Sequence, residues 1–197
     1  VGTHANCKAP YDPSCQAETT DGGDTWHIVK VPGDNWQEQA GPFVIDATTW
    51  VYAAPSGLYL TTNNGESFDE VTPAGAFNYG GGEVENHGIT RDKNGIYYLT
   101  SYQGIVKSSD GHTWSLIPNS GGRTVSLVLG GGNFYNSDQW SPTYHTASED
   151  DPMTWSSFPA PYTEPADTGG VFLDYDTGHH LLYSSNFAGG AWRILLE

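Results

Sequence analysis

Apolar runs of about four or five residues recur along the whole chain, each bounded by Gly, Asn, Asp, Ser or Thr. His27–Val31, Phe43–Ala47, Trp50–Ala53 and Gly57–Leu60 read as strands because β-branched and aromatic residues dominate them. The same grammar returns in His87–Thr90, Ile96–Thr100 and Gly104–Lys107, then in Val125–Val128, Asn133–Asn136 and Tyr144–Thr146. Val171–Tyr175, Leu181–Ser184 and Ala191–Leu195 close the series. Connections such as Asp92-Lys93-Asn94-Gly95 and Gly130-Gly131-Gly132 carry hairpin chemistry. No segment shows the 3.6-residue period of an amphipathic helix. The pattern predicts an all-β fold.

A longer period lies over the strands. Thr19-Thr20-Asp21-Gly22-Gly23-Asp24-Thr25-Trp26 recurs as Thr61-Thr62-Asn63-Asn64-Gly65-Glu66-Ser67-Phe68, and one residue shorter as Ser108-Ser109-Asp110-Gly111-His112-Thr113-Trp114. A degenerate fourth copy, Ser148-Glu149-Asp150-Asp151-Pro152-Met153-Thr154-Trp155, lacks the glycine. The closing aromatics Trp26, Phe68, Trp114 and Trp155 stand 42, 46 and 41 residues apart, the length of one four-stranded propeller blade. In such a turn Asp21, Asn63, Asp110 or Asp150 can accept hydrogen bonds from the turn's own N–H groups. Glycine supplies positive φ, and the aromatic ring can bury itself in the seam between neighbouring sheets.

The consensus Ser/Thr-x-Asp-x-Gly-x-Thr-Trp resembles the Asp box, or BNR repeat, of sialidases and other secreted β-propellers. The resemblance covers nearly the whole chain, does not single out a subfamily, and implies that the boxes are structural turns away from the ligand face. Three full blades and two partial ones are expected, as part of a six- to eight-bladed ring. The first partial blade has two strands, with Val1–His4 as the inner one; the last has three strands and no outer one. Val1-Gly2-Thr3-His4 reads like the interior of a protein, so a cleaved segment or another chain is expected to complete the ring.

Composition narrows the partners. Seven basic against 23 acidic residues give a net charge of −16, which excludes the cationic face that nucleic acid requires. No apolar stretch approaches the ~18–20 residues of a membrane helix. Cys7 and Cys15, the only cysteines, flank a short Pro- and Asp-rich segment that a disulfide closes easily, which points to a secreted protein.

Candidate chemistry falls on the long connections His4–Gln16, Gly33–Gly41, Gly75–His87, Asn136–Tyr144 and Pro159–Gly170, which in a propeller build the ligand face. They carry Trp36, Gln37, Glu38, Asn78, Tyr79, Glu83, Glu85, Asn86, His87, Asp138, Trp140, Tyr162, Glu164 and Asp167. Aromatic rings beside carboxylates and amides suit a sugar: a ring covers the pyranose C–H face while polar groups hold hydroxyls. Trp36, Tyr79, His87, Tyr102, Trp140 and Tyr162 are therefore the candidate ligand-binding residues. Asp46, Asp174, Glu83 and Glu85 are candidate acids for glycoside hydrolysis, which needs two carboxyls about 5–9.5 Å apart. Asp46 and Asp174 each follow an apolar triplet and are expected at equivalent places on inner strands. Sialidase chemistry is disfavoured, because the family's arginine triad and Arg-Ile-Pro motif have no counterpart among Arg91, Arg123 and Arg193. No cofactor motif is present; the acidic loops have the oxygen ligands that Ca²⁺ takes, without EF-hand spacing.

Three readings follow. The leading one is carbohydrate recognition through aromatic and acidic loops. The second is a glycoside hydrolase or polysaccharide lyase with paired carboxylates. The third is a structural or protein-interaction propeller.

Overall fold

The structure is a computed structural model that describes residues 7–33, 40–76, 89–138, 141, 143–160, 170–186 and 190–196. Seventeen strands are found among them: β1 (Cys15–Glu18), β2 (His27–Lys30), β3 (Ala40–Val44), β4 (Trp50–Ala54), β5 (Gly57–Thr61), β6 (Asp69–Glu70), β7 (Thr90–Arg91), β8 (Tyr97–Ser101), β9 (Gly104–Ser108), β10 (Ser115–Leu116), β11 (Thr124–Gly130), β12 (Asn133–Asp138), β13 (Thr143–Ser148), β14 (Asp151–Pro159), β15 (Gly170–Asp176), β16 (Leu181–Asn186) and β17 (Gly190–Leu195). Every pairing is antiparallel between consecutive strands. The described residues form a two-stranded sheet β1-β2, four-stranded sheets β3-β4-β5-β6, β7-β8-β9-β10 and β11-β12-β13-β14, and a three-stranded sheet β15-β16-β17.

The core lies in the seams between successive sheets. Val29 and Val31 of the first sheet side pack on Trp50 and Tyr52. Phe43, Val51 and Leu58 meet Leu99, Val106 and Trp114. Tyr98 and Ile105 meet Phe134, whose ring centroid lies 4.6 Å from that of Tyr98. Tyr135 and Tyr144 meet Leu173 and Leu182. Period-two alternation makes this possible, since each inner sheet is covered on both faces and keeps apolar residues on both. At the tightest point a Cβ on Gly130 would stand 2.0 Å from the Tyr175 ring, so glycine is needed there for close approach.

Two ends follow from the topology. One, the turn end, carries the hairpins β3–β4, β7–β8, β11–β12 and β15–β16 together with the repeated turns. The other, the loop end, carries the second-to-third strand turns and the connections between sheets. In the first repeated turn Gly23 N donates to Thr19 Oγ1 (2.8 Å), and Thr25 N donates to Asp21 Oδ1 (2.9 Å). The second repeats this with Gly65 N to Thr61 Oγ1 (2.8 Å) and Ser67 N to Asn63 Oδ1 (3.0 Å). The third has Gly111 N to Ser108 Oγ (2.8 Å) and Thr113 N to Asp110 Oδ1 (2.7 Å). Trp26, Trp114 and Trp155 also donate their indole N–H to a carbonyl of their own turn, Gly23, Gly111 and Pro152 respectively.

Several expectations need correction. Trp114 is buried at 6% exposure, but Trp26 is 53% exposed and covers no seam. The aromatics of the second and third turns pack toward the preceding sheet, and no sheet precedes β1-β2 among the described residues. In the fourth copy Asp150 does not accept the turn's N–H groups. Its carboxylate pairs with Lys93, Asp151 Oδ1 accepts from Met153 N at 3.4 Å, and β14 starts at Asp151. Without the glycine the turn shrinks to Glu149 and Asp150, clasped by Lys93, whose backbone N donates to Glu149 Oε1 at 2.7 Å. The partner of β2 is Cys15–Glu18; Val1–His4 lies outside the described residues.

Candidate functional site

The loop end gathers one cluster of chemically capable side chains among the described residues. Ser120 anchors the connection from β10 to β11 by donating from Oγ to Ile117 O (2.8 Å) and accepting from Ile105 N (2.8 Å). Gly121 follows at φ 117°, where a Cβ would lie 2.9 Å from Asp138 Oδ1. The next backbone N–H, of Gly122, donates to that same carboxylate oxygen (3.1 Å). Arg123 then turns through φ 51°, a left-handed conformation unusual for a side chain of this size. Its N–H donates to Tyr102 O (2.7 Å), and its guanidinium carbon sits 4.9 Å from the Tyr102 ring centroid.

The second oxygen of Asp138 is 2.8 Å from His145 Nε2, and both side chains are 15% exposed. This bond fixes the imidazole's orientation and leaves Nδ1 as its other nitrogen. Tyr102 from the β8–β9 turn, Arg123 from the β10–β11 connection, Asp138 from the end of β12 and His145 from β13 thus belong to one continuous patch. Inner strands β3, β11 and β15 each carry a register irregularity near their loop-end starts, between Ala40 and Phe43, Thr124 and Ser126, and Gly170 and Phe172. Bulges of this kind re-aim side chains at the rims of sheets. The patch offers a cation, a phenol ring, a carboxylate–imidazole pair and turn amides, the groups that hold a polar, hydroxyl-bearing ligand.

Of the candidate ligand-binding residues, Tyr102 lies in this patch. Trp36, Tyr79, His87, Trp140 and Tyr162, with the candidate acids Glu83 and Glu85, lie outside the described residues. The two remaining acids are not equivalent. Asp46 follows β3 in the hairpin turn at the opposite end, where its Oδ1 accepts from Thr48 N (2.9 Å) and Thr49 N (2.8 Å). Those bonds, the Thr48 amide first, lower its pKa below the usual carboxylate value. Its structural counterparts are Asp92, accepting from Asn94 N and Ile96 N, and Asp176, accepting from Gly178 N and His179 N. Asp174 instead projects from the exposed face of β15 and accepts from Tyr175 N at 2.8 Å. The predicted inner-strand pair is therefore replaced by a hairpin cap and a sheet-face carboxylate.

Sequence reasoning missed His145 and the role of Arg123. His145 sits inside a strand pattern and carries no motif; its pairing with Asp138 depends on the β12–β13 register. Cys7 and Cys15 are disulfide-bonded, closing the segment that leads into β1 at the loop end. Among the described residues no group of three or more His, Cys, Asp or Glu is arranged to hold a metal, and no helix is long and apolar enough to cross a membrane.

No protein-family model and no curated protein sequence matches the chain. Solved structures do. A GH74 xyloglucanase from Xanthomonas campestris is similar at 18% identity over 88% of this chain and 31% of its own, with a TM-score of 0.62. A virginiamycin B lyase from Staphylococcus aureus is similar at 10% identity over 93% of this chain and 59% of its own, with a TM-score of 0.63. YCF48 bound to D1 peptide is similar at 16% identity over 93% of this chain and 58% of its own, with a TM-score of 0.60. The chain thus spans less than two thirds of each of these three proteins. All are β-propellers, and the successive four-stranded antiparallel sheets described above give this chain the same all-β propeller architecture.

Proposed function

We propose that this chain is a secreted propeller of the Asp-box type that recognises carbohydrate through its loop end. The observation that carries the reading is the patch of Tyr102, Arg123, Asp138 and His145, assembled from separate strands and connections onto one surface. A sugar needs an aromatic surface for its C–H face and fixed donors and acceptors for its hydroxyls. Tyr102 supplies the first, while Arg123, the paired His145 and the Gly121–Gly122 turn supply the second. Trp36, Tyr79, His87, Trp140 and Tyr162 lie outside the described residues, and we assign them to the same ligand surface on the sequence pattern alone. The hydrogen bonds of the first three repeated turns support the Asp-box reading. The disulfide supports secretion. The partial sheets at either end of the chain, beside neighbours with four strands each, support a larger ring completed by a further segment or chain.

A hydrolase reading is favoured by one observation, the likeness to GH74 enzymes, one of them a xyloglucanase. On that reading the acids come from Glu83 and Glu85, with Asp46 and Asp174 as the remaining candidates.

A glycan array followed by product analysis separates the readings. Saturable binding to defined glycans without chain cleavage is the expected result. Release of shorter products from xyloglucan establishes the hydrolase reading instead. Absence of binding to every glycan refutes both and leaves an interaction propeller.

A further inference from the structure

Met153 is the chain's single methionine and stands on β14, the outer strand of the complete four-stranded sheet β11-β12-β13-β14. It is 45% exposed and joins no hydrophobic cluster among the described residues. Its sulfur reaches across the seam to the preceding sheet, also complete, where Lys107 Nζ of β9 donates to Sδ at 3.2 Å. Among the described residues Lys107 forms no ion pair, so the thioether is what its ammonium bonds. The two are mismatched, since an ammonium is a strong, charged donor and a thioether a weak acceptor.

The contact exists because the fourth repeated turn is degenerate. In the second and third turns the glycine leans on the preceding sheet: a Cβ on Gly65 would stand 2.5 Å from Val29 Cγ1, and one on Gly111 2.4 Å from Ile45 Cδ1. The fourth turn lacks that glycine, and a cleft of about 440 Å³ remains, lined by Lys107, Ser109, Glu149, Asp150 and Pro152 among others. Met153 follows Pro152 at its rim, next to Lys107 and open to solvent.

We propose that Met153 is an oxidation site and that Lys107 holds its sulfoxide. The oxidant is a peroxide. A sulfur lone pair attacks one peroxide oxygen, the S–O bond forms and the O–O bond breaks. Sulfur gives up two electrons, and the departing hydroxide takes the proton of the transferred oxygen and leaves as water. The new oxygen sits on a side chain with three rotatable bonds, so it can turn to the ammonium and supply the charge-assisted bond that the thioether lacks. Sulfoxides disrupt cores by making an apolar group polar, whereas Met153 has little packing to lose. No residue of the loop patch takes part, so glycan binding there is expected to be unchanged by the oxidation.

The test treats the whole chain with hydrogen peroxide and locates the added oxygen by peptide mass. Urea midpoints of reduced and oxidised protein are then compared for the parent, Lys107→Arg and Lys107→Ala. Oxygen on Met153 is expected, with an oxidation-induced change in folding equilibrium constant about 3–10-fold more favourable in the parent and Lys107→Arg than in Lys107→Ala. Met153→Leu cannot take the oxygen and should show no shift, which separates the effect from tryptophan oxidation. A second readout needs no alanine variant: the Lys107 ammonium resonance should move on oxidation of the parent. Equal shifts in the parent and Lys107→Ala overturn the proposal. So does an unmoved Lys107 resonance, or peroxide treatment that oxidises tryptophan while sparing Met153.

Discussion

Trp26 and Trp114 occupy the same place in the repeated turn and make the same bond, Nε1 to a turn glycine carbonyl at 3.0 and 2.9 Å. They differ in what the ring covers: Trp114 is 6% exposed within the seam formed with Phe43, Val51 and Leu99, whereas Trp26 is 53% exposed. A tryptophan buries roughly 150–250 Å². At ~25 cal/mol per Å² a covered ring contributes about 5 kcal/mol and a half-covered one about half that. Alanine keeps the β-carbon in both cases, and in the seam it also opens a cavity. Trp114→Ala is therefore expected to cost about 4 kcal/mol, within the ~3–5 kcal/mol range of core aromatic truncations. Trp26→Ala should cost about 1–2 kcal/mol, from its smaller covered area. Trp→Phe removes the indole donor at both sites, at a cost of about 0.5–1.5 kcal/mol. At Trp114 it also removes part of the ring that fills the seam, so the buried site should lose more. Urea unfolding followed by far-ultraviolet circular dichroism measures all four. If the two alanine variants lose equal stability, the repeat is held by its turn bonds rather than by the seams, and the reasoning fails.

Three further predictions follow the same logic. Gly130→Ala places a methyl 2.0 Å from Tyr175, which is stacked on Tyr135 with centroids 6.0 Å apart, so a loss of about 1–3 kcal/mol is expected; Gly130→Ala with Tyr175→Leu should recover part of it in thermal melts. The Thr113 and His112 amides hold Asp110 at about 2, below the ~3.9 of an unfolded chain. Its contribution is thus complete above the unfolded value and is lost as pH falls toward 2, so Asp110→Asn should show a shallower drop in urea midpoint between about pH 5 and 2.5 than the parent. The disulfide closes a sequence separation of 8 residues, and the double variant Cys7→Ser, Cys15→Ser should lose about 2–3 kcal/mol, with a melting temperature no longer sensitive to dithiothreitol.

Much of the architecture could be read from local chemistry. The turn residues Thr19, Asp21 and Gly23, with their equivalents, announce themselves because each bond they make lies within four residues. The strand expected over Phe43–Ala47 ends three residues early for a related local reason. Asp46 accepts from Thr48 and Thr49, so β3 stops at Val44 and the hairpin begins earlier than the apolar triplet suggests. Long-range facts were less legible. The exposure of Trp26 depends on which sheet stands before it, and the loss of Asp150 from its turn depends on Lys93, 57 positions away. His145 becomes a site residue only because the β12–β13 ladder brings it within reach of Asp138, and no pattern in the Tyr144–Thr146 run marks it. The acids Asp46 and Asp174 looked alike because both follow apolar triplets; backbone register puts one in a turn and the other on a sheet face.

The central claim is that the loop end, through Tyr102, Arg123, Asp138 and His145, holds a carbohydrate. It is tested most directly by nuclear magnetic resonance titration of the isotope-labelled chain with a glycan retained on the array. The account predicts that the ring signals of His145 and Tyr102 shift together and saturate, and that His145→Ala weakens binding at least ~10-fold while leaving the fold intact. Shifts confined to other surfaces, with His145 and Tyr102 unmoved at saturation, would contradict it.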